Sequence, residues 1–303
     1  MNLVAFTNSR WGPPAGISLV RLLPPRLASK LAASLANRIA SQIGSPLVEA
    51  VRTNQAVVRD LARDDPEVDR AVRTVLETMA RSYLVLFRVM RSGHAGLQQA
   101  GELDPALLAA GKERLEAGGG LMYAGAHTVG LDLLLLMIGG LGFPIQALAY
   151  PESEASYAVT NRIRRSFGVD LSPTNFNSLR QAIRHLRKGG LVVTAVDRPD
   201  PQGELLEFFG QPARLLVGHA RLAIRTGAPI MVGGTYQEQN GRYRAVLLDL
   251  LESTPYADRP TGELELAQEV IRIHEHFIHQ RPDQWMMFHP VWPAAAKTPT
   301  LKA

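Results

Sequence analysis

At Gly120 the texture of the chain changes, and that change constrains the fold more than any other feature of its 303 residues. Before it, apolar residues recur at helical spacing over residues 25–43, 46–63, 66–90 and 105–117, so the first 117 residues read as mostly helical. After it, short apolar runs alternate with helical stretches. Residues 120–126, 145–150, 169–172, 191–196, 229–236 and 243–248 read as strands, and 152–167, 175–188, 215–226 and 261–280 as helices between or after them. Strands alternating with helices predict an α/β fold with a mostly parallel central sheet flanked by helices, since parallel neighbours need a crossover long enough to hold a helix. No repeat or low-complexity linker separates the two textures. The expected organisation is a helical N-terminal region, 1–117, packed on an α/β core, 118–293, as one integrated unit, with a disordered tail at 294–303.

The net charge is +5, and all of the excess lies at one end. Residues 1–48 hold Arg10, Arg21, Arg26, Lys30 and Arg38 and no acid, while the other 28 basic residues balance 28 acidic ones. Within this segment Leu27, Leu31, Leu35, Ile39 and Ile43 recur every four positions beside Arg26, Lys30 and Arg38. That is a basic amphipathic helix, which either lies in an anionic membrane interface or packs on its own domain. The longest apolar run, Leu133 to Pro144, is far short of the ~20 residues of a spanning helix, so any membrane contact is expected to be peripheral. The absence of cysteine excludes disulfides, thiolate metal sites and a thiol nucleophile. No nucleic-acid partner is expected.

The candidate chemistry centres on residues 125–138, GAHTVGLDLLLLMI. His127 falls in a strand-to-helix turn, five residues before Asp132 in the first turn of the following helix. A carboxylate there is favoured by the helix dipole and is within reach of one ring nitrogen, which would fix the tautomer and leave the other nitrogen free to accept a proton. Spacing alone is weak support, because 8 histidines and 28 acids yield about 0.7 such pairs by chance. Other signatures are missing: there is no Gly-x-Ser-x-Gly elbow, no Gly-x-Gly-x-x-Gly and no phosphate-binding loop. HEHFIH at 274–279 lacks an i, i+4 histidine pair, so no metal site is expected there. A second polar cluster, Asp197, Arg198, Asp200, Glu204 and Glu207, follows the strand at 191–196 in a proline-broken loop. The carboxyl end of such a strand is where open α/β sheets bind ligands.

These residues fall in an order that resembles the bacterial lipid acyltransferases, the family of the late lipid A acyltransferases and the phosphatidylinositol mannoside acyltransferases. The matching elements are the His-x4-acid pair His127 and Asp132; Arg164, Arg165 and Gly168; Asp197 and Arg198; FFGQPA at 208–213; GHARLAIRTGAPI at 218–230; and RPDQWMMFHPVW at 281–292. RTNQ at 52–55 resembles an upstream Arg-x-Asn element. Where family members usually have Gly-Asn-Trp before the acid, this chain has Val129, Gly130 and Leu131.

The resemblance implies a peripheral enzyme on the cytoplasmic face of the bacterial inner membrane. It would move a fatty acyl chain from acyl-CoA or an acyl carrier protein to a hydroxyl of a lipid or glycolipid. His127 would be the general base, with Asp132 orienting its ring. Arg164 or Arg165 and Arg198 would bind anionic parts of the substrates, and Glu204 or Glu207 would be the family's further acidic residue. No cofactor and no covalent intermediate are implied. The competing readings are a catalytically idle lipid-binding protein of the same fold and a thioesterase or lipid esterase.

Overall fold

A computed structural model describes Ser18 and residues 24–143, 145–149, 161–162 and 164–292. Arg10, Arg21, the 294–303 tail and most of the helix expected at 152–167 lie outside the described residues.

Three helices come first: α1 (Pro25–Ala40), α2 (Pro46–Arg59) and α3 (Pro66–Ala100), each with proline in its first turn, where the missing N–H costs no hydrogen bond. α3 runs well past the expected 66–90 and breaks its helical geometry only at Gly93. The short strand β1 (Gly101–Leu103) and helix α4 (Pro105–Glu116) lead into β2 (Leu121–Gly125), α5 (Leu131–Gly139) and β3 (Ile145–Ala149). The rest of the core is β4 (Asp170–Pro173), α6 (Phe176–Arg187), β5 (Leu191–Ala195), β6 (Pro199–Phe208), β7 (Gln211–Leu215), α7 (Gly218–Thr226), β8 (Ile230–Gln237), β9 (Tyr243–Leu251) and α8 (Gly262–Gln280).

Seven strands make one sheet in the order β1-β9-β8-β2-β5-β3-β4. The five from β8 to β4 are mutually parallel; β9 runs antiparallel to β8, with β1 parallel to β9. The fold is therefore the expected α/β type, a mixed and mostly parallel sheet between helices. Side chains alternate across it. Met122 and Ala124 of β2 join a core with Leu186 of α6, Ala220 of α7 and Val270 of α8. Leu121 and Tyr123 face the other way, into a core with Leu107 of α4 and Leu134 and Ile138 of α5. A side chain as buried as Leu134, 0% exposed, stabilises by about 2 kcal/mol.

Two elements differ from the sequence expectation. β1 was not foreseen; three residues are too few to show a period. Residues 199–215, read as a proline-broken loop, form an antiparallel ribbon of β6 and β7. Its alternation is short but real: Leu206, Phe208, Ala213 and Leu215 are buried, while Leu205 and Glu207 are exposed. Phe209 and Gly210, both at positive φ (53° and 65°), make the tight connection that twisted hairpins favour.

α1 packs on α3 through Ala28, Ala32, Ala36 and Ile39, which are buried. The stripe expected from Leu27 to Ile43 is therefore split: Ile39 turns inward, while Leu27, Leu31 and Ile43 stay 51%, 47% and 82% exposed. The alanines, small enough for close helix approach, take the packing face, and larger apolar groups remain outside beside exposed Arg26, Lys30 and Arg38. Among the described residues no helix is long and apolar enough to cross a membrane.

Candidate active site

The turn between β2 and α5 carries His127. Gly130 closes that turn at φ +90°, and a Cβ there would meet the Tyr243 ring at 2.7 Å, so glycine is required on both counts. The turn is tied on all sides. The His127 carbonyl accepts from the Met286 amide at 2.6 Å and the Gln284 carbonyl from the Val129 amide at 2.9 Å. The hydroxyls of Thr128 and Thr235 lie 2.8 Å apart. The strand-like segment 284–287 is itself anchored by α2. Asn54 Nδ2 donates to the carbonyls of Met287 (3.1 Å) and His289 (2.8 Å), and Asn54 Oδ1 accepts from the Val291 amide (3.0 Å). Gln55 donates to the Pro282 carbonyl at 2.9 Å, and Arg59 pairs with Asp283. RTNQ and RPDQWMMFHPVW, separated by more than two hundred residues, thus meet to brace the histidine turn.

The imidazole partner is Asp197. Its Oδ1 lies 2.6 Å from His127 Nδ1, its oxygens accept the His127 amide at 2.9 and 3.1 Å, and Oδ2 accepts from Trp285 Nε1 at 2.7 Å. Asp197 is 0% exposed. Burial pushes its pKa up, but the charge of His127 and the hydrogen bonds from His127 and Trp285 outweigh this and hold it below the usual carboxylate value. An ionised carboxylate only accepts, so Nδ1 carries the hydrogen and Nε2 is left as the proton acceptor.

The expectation that Asp132 orients the His127 ring is corrected by this arrangement. Asp132 sits in the first turn of α5 as expected, but its Oδ1 accepts from Arg164 Nε at 2.8 Å and from a second guanidinium nitrogen. Arg164 Nη1 also donates to Asn161 Oδ1 at 2.9 Å. Register supplies the reason for the exchange: Gly125 of β2 pairs with Ala195 of β5, so the residues two further on, His127 and Asp197, emerge side by side. Asp197, which the sequence places in the second polar cluster, spends both its oxygens inside the protein.

His127, with a side chain 34% exposed, opens into a cavity of about 300 Å³ that Asp132, Arg164, Arg198 and His289 also line. The cavity continues between α5 and the ends of β3, β4 and β5, where Leu133, Leu135, Leu148, Leu171 and Val193 make it apolar. The pKa of His289 is lowered by burial and by the charges of Arg198 and His127.

Arg165, Glu204 and Glu207, expected at the site, are outside the cavity lining. Arg165 is one helical step, about 100°, from Arg164 and is exposed. Glu204 pairs with Arg221 at 2.9 Å, and Glu207 lies on the outer face of β6 beside Gln268. The residues that sequence reasoning missed are Trp285, Asn161 and His289. Trp285 and His289 lie in the motif 281–292, but nothing local marks which side chains of that motif face the site.

Behind Asp197 two histidines are buried without a side-chain hydrogen-bond partner at their Nε2 atoms, His274 on α8 and His219 on α7. Burial drives His274 down to about 4 despite the attraction of Asp197, and burial with repulsion from His274 drives His219 down to about 3. His276 and His279 are exposed.

The hydrogen-bonded carboxylate and imidazole thus stand at the mouth of an apolar cavity on a mostly parallel α/β sheet. The chain is a member of the bacterial lipid A biosynthesis acyltransferase family, whose model matches residues 7–294. Among its relatives, the phosphatidylinositol mannoside acyltransferase of Mycobacterium tuberculosis (strain CDC 1551 / Oshkosh) is 27% identical over 304 residues, 95% of this chain and 90% of that protein. The protein of the same name from Mycolicibacterium smegmatis is 27% identical over 292 residues, 93% of this chain and 90% of the relative.

Proposed function

We propose that this acyltransferase moves a fatty acyl chain from a thioester, acyl-CoA or acyl carrier protein, to a hydroxyl of a glycolipid at the cytoplasmic face of a membrane. The observation that carries the reading is the Asp197–His127 pair opening into an apolar cavity. His127 Nε2 takes the proton as the acceptor oxygen attacks the thioester carbonyl. Asp197 holds the neutral ring's hydrogen on Nδ1, which leaves the Nε2 lone pair to accept, and it stabilises the imidazolium once that forms. When the tetrahedral adduct collapses, the C–S bond breaks and the departing sulfur takes the proton from Nε2, so the enzyme ends as it began. Arg164 and Arg198 attract anionic parts of donor or acceptor, with Asp132 holding Arg164 in place. The apolar lobe takes the acyl chain out of water.

The glycolipid acceptor rests on the names of the mycobacterial relatives. Peripheral attachment rests on α1, whose exposed leucines and basic residues suit an anionic leaflet. Incubation with labelled hexadecanoyl-CoA or hexadecanoyl carrier protein, with and without a glycolipid extract, tests the whole reading. Acylated lipid supports it; free fatty acid alone means a hydrolase, and bound but unchanged donor means a lipid-binding protein.

A further inference from the structure

The outer face of α6 is a one-sided charged surface. Residues 171–196 contain no Asp or Glu. Within them Arg180, Arg184, Arg187 and Lys188 are all exposed, and their i, i+4, i+7, i+8 spacing sets them on one stripe. None of the four makes an ion pair with any described residue. α7, packed beside α6, adds exposed Arg225 near the same end. At the other end of the stripe Phe176 is 73% exposed, with the Arg180 guanidinium 5.4 Å from its ring centre. Thr174, two residues before Phe176, lines the cavity. The stripe therefore begins at the mouth of the site and runs away from it for about 15 Å at 1.5 Å per residue.

An exposed aromatic at the head of an unbalanced cationic stripe is the composition of a protein interface, not of a solvated helix face. A membrane is the weaker occupant. α6 packs in the core on one face of the sheet with α7 and α8, whereas the leucine-bearing α1 packs on α3, which meets α5 on the other face. One flat leaflet does not meet both helices broadside.

Resting on the thioester-donor reading above, we propose that the α6 face docks an acidic acyl carrier protein. Its pantetheine arm would enter the cavity past Thr174, and Phe176 would meet an apolar patch on the carrier. Complementary charge would speed encounter and fix the orientation of the arm.

The experiment compares three donors, hexadecanoyl carrier protein, hexadecanoyl-CoA and hexadecanoyl-pantetheine, with wild type and the variant Arg180→Glu/Arg184→Glu/Arg187→Glu/Lys188→Glu. Its fold is checked by circular dichroism and thermal melting. The expected result is a fall of about tenfold or more in kcat/KM for the carrier donor alone, carried by KM, together with loss of its salt dependence. Phe176→Ala should act in the same direction. Equal losses on all three donors, or no loss on the carrier, would overturn the proposal. So would a loss shared by carrier and CoA but not pantetheine, which marks a nucleotide-phosphate site, or a loss of binding to anionic vesicles. Titrating unloaded carrier protein into the His127→Ala enzyme separates the two readings. Carrier binding that the charge reversal abolishes supports docking even if no donor is turned over, and no binding overturns it even if acyl-CoA is used.

Discussion

Asp197 and His127, seventy positions apart in sequence, stand with Oδ1 and Nδ1 at 2.6 Å, while the acid five residues from His127 is bound to an arginine. The two carboxylates near the histidine therefore have different work. Asp197→Asn keeps the shape but offers Nδ1 an amide, so the ring's tautomer is no longer fixed. Its kcat should drop by about 10²- to 10⁴-fold, as for loss of the base in His127→Ala. Asp132→Asn should instead loosen Arg164 and act mainly through KM. Steady-state kinetics of the two variants decide the assignment; a larger kcat defect in Asp132→Asn would reverse it.

Trp285→Phe keeps the ring packed against Phe208 but removes the donor to Asp197 Oδ2. Loss of one hydrogen bond to a buried carboxylate costs about 1.5–3 kcal/mol. The activity of this variant should fall by roughly ten- to a hundredfold, because the carboxylate that orients His127 is held less firmly. Steady-state kcat/KM of the variant, with its fold checked by thermal melting, reads the effect.

Asn54→Ala should cost about 3 kcal/mol, since it strands the buried Met287 carbonyl and Val291 amide and the part-buried His289 carbonyl. Because that segment braces the His127 turn, activity should decline at temperatures where the variant is still folded. Urea unfolding and initial rates on the same preparation check the two consequences together.

Acid should destabilise the protein in two stages. His274 and His219 have folded pKa values of about 4 and about 3, below the 6.5 of an unfolded histidine. The unfolded chain therefore binds more protons between these values, and stability falls as pH drops from about 6.5, by about 1.4 kcal/mol per pH unit for each histidine. Asp197, depressed relative to its ordinary 3.8, acts in the same direction but only below that value. Urea titrations from pH 7 to pH 4 should show the first stage, and His274→Gln with His219→Gln should flatten it.

Reversing Arg26, Lys30 and Arg38 to Glu should lower binding to anionic vesicles, each charge being worth up to about 1 kcal/mol near the surface. Leu27→Ser with Leu31→Ser should weaken the part that survives high salt, where screening shortens from about 10 Å at 0.1 M to about 3 Å at 1 M. Sedimentation with vesicles at the two salt concentrations separates charge from burial. Indifference to both sets of substitutions would make α1 a packing element only.

The parts of this molecule legible in the sequence are those written in local period. The switch from helices to alternating strands at Gly120 places five of the seven sheet strands within a residue or two, and His127 stands in the turn where the texture puts it. What stayed hidden is set by register. No local pattern says that β5 lies against β2 with Ala195 opposite Gly125, so the carboxylate nearest to His127 in sequence is not the one nearest in space. The β6–β7 ribbon is hidden differently: its three prolines and its two glutamates mask an alternation only four buried side chains long. The stripe on α1 failed where two periodic sets compete, since the alanines one position over make the closer helix contact.

The brace of the histidine turn has a consequence for how activity is acquired. Its contacts join Asn54 to Met287 and Thr128 to Trp285, among the longest sequence separations in the chain, and loops of that length close late because their entropy must be offset by structure already formed. The sheet can assemble before the 282–291 segment makes its ties to the His127 turn. The final setting of that turn therefore waits on the last strap of chain laid across it.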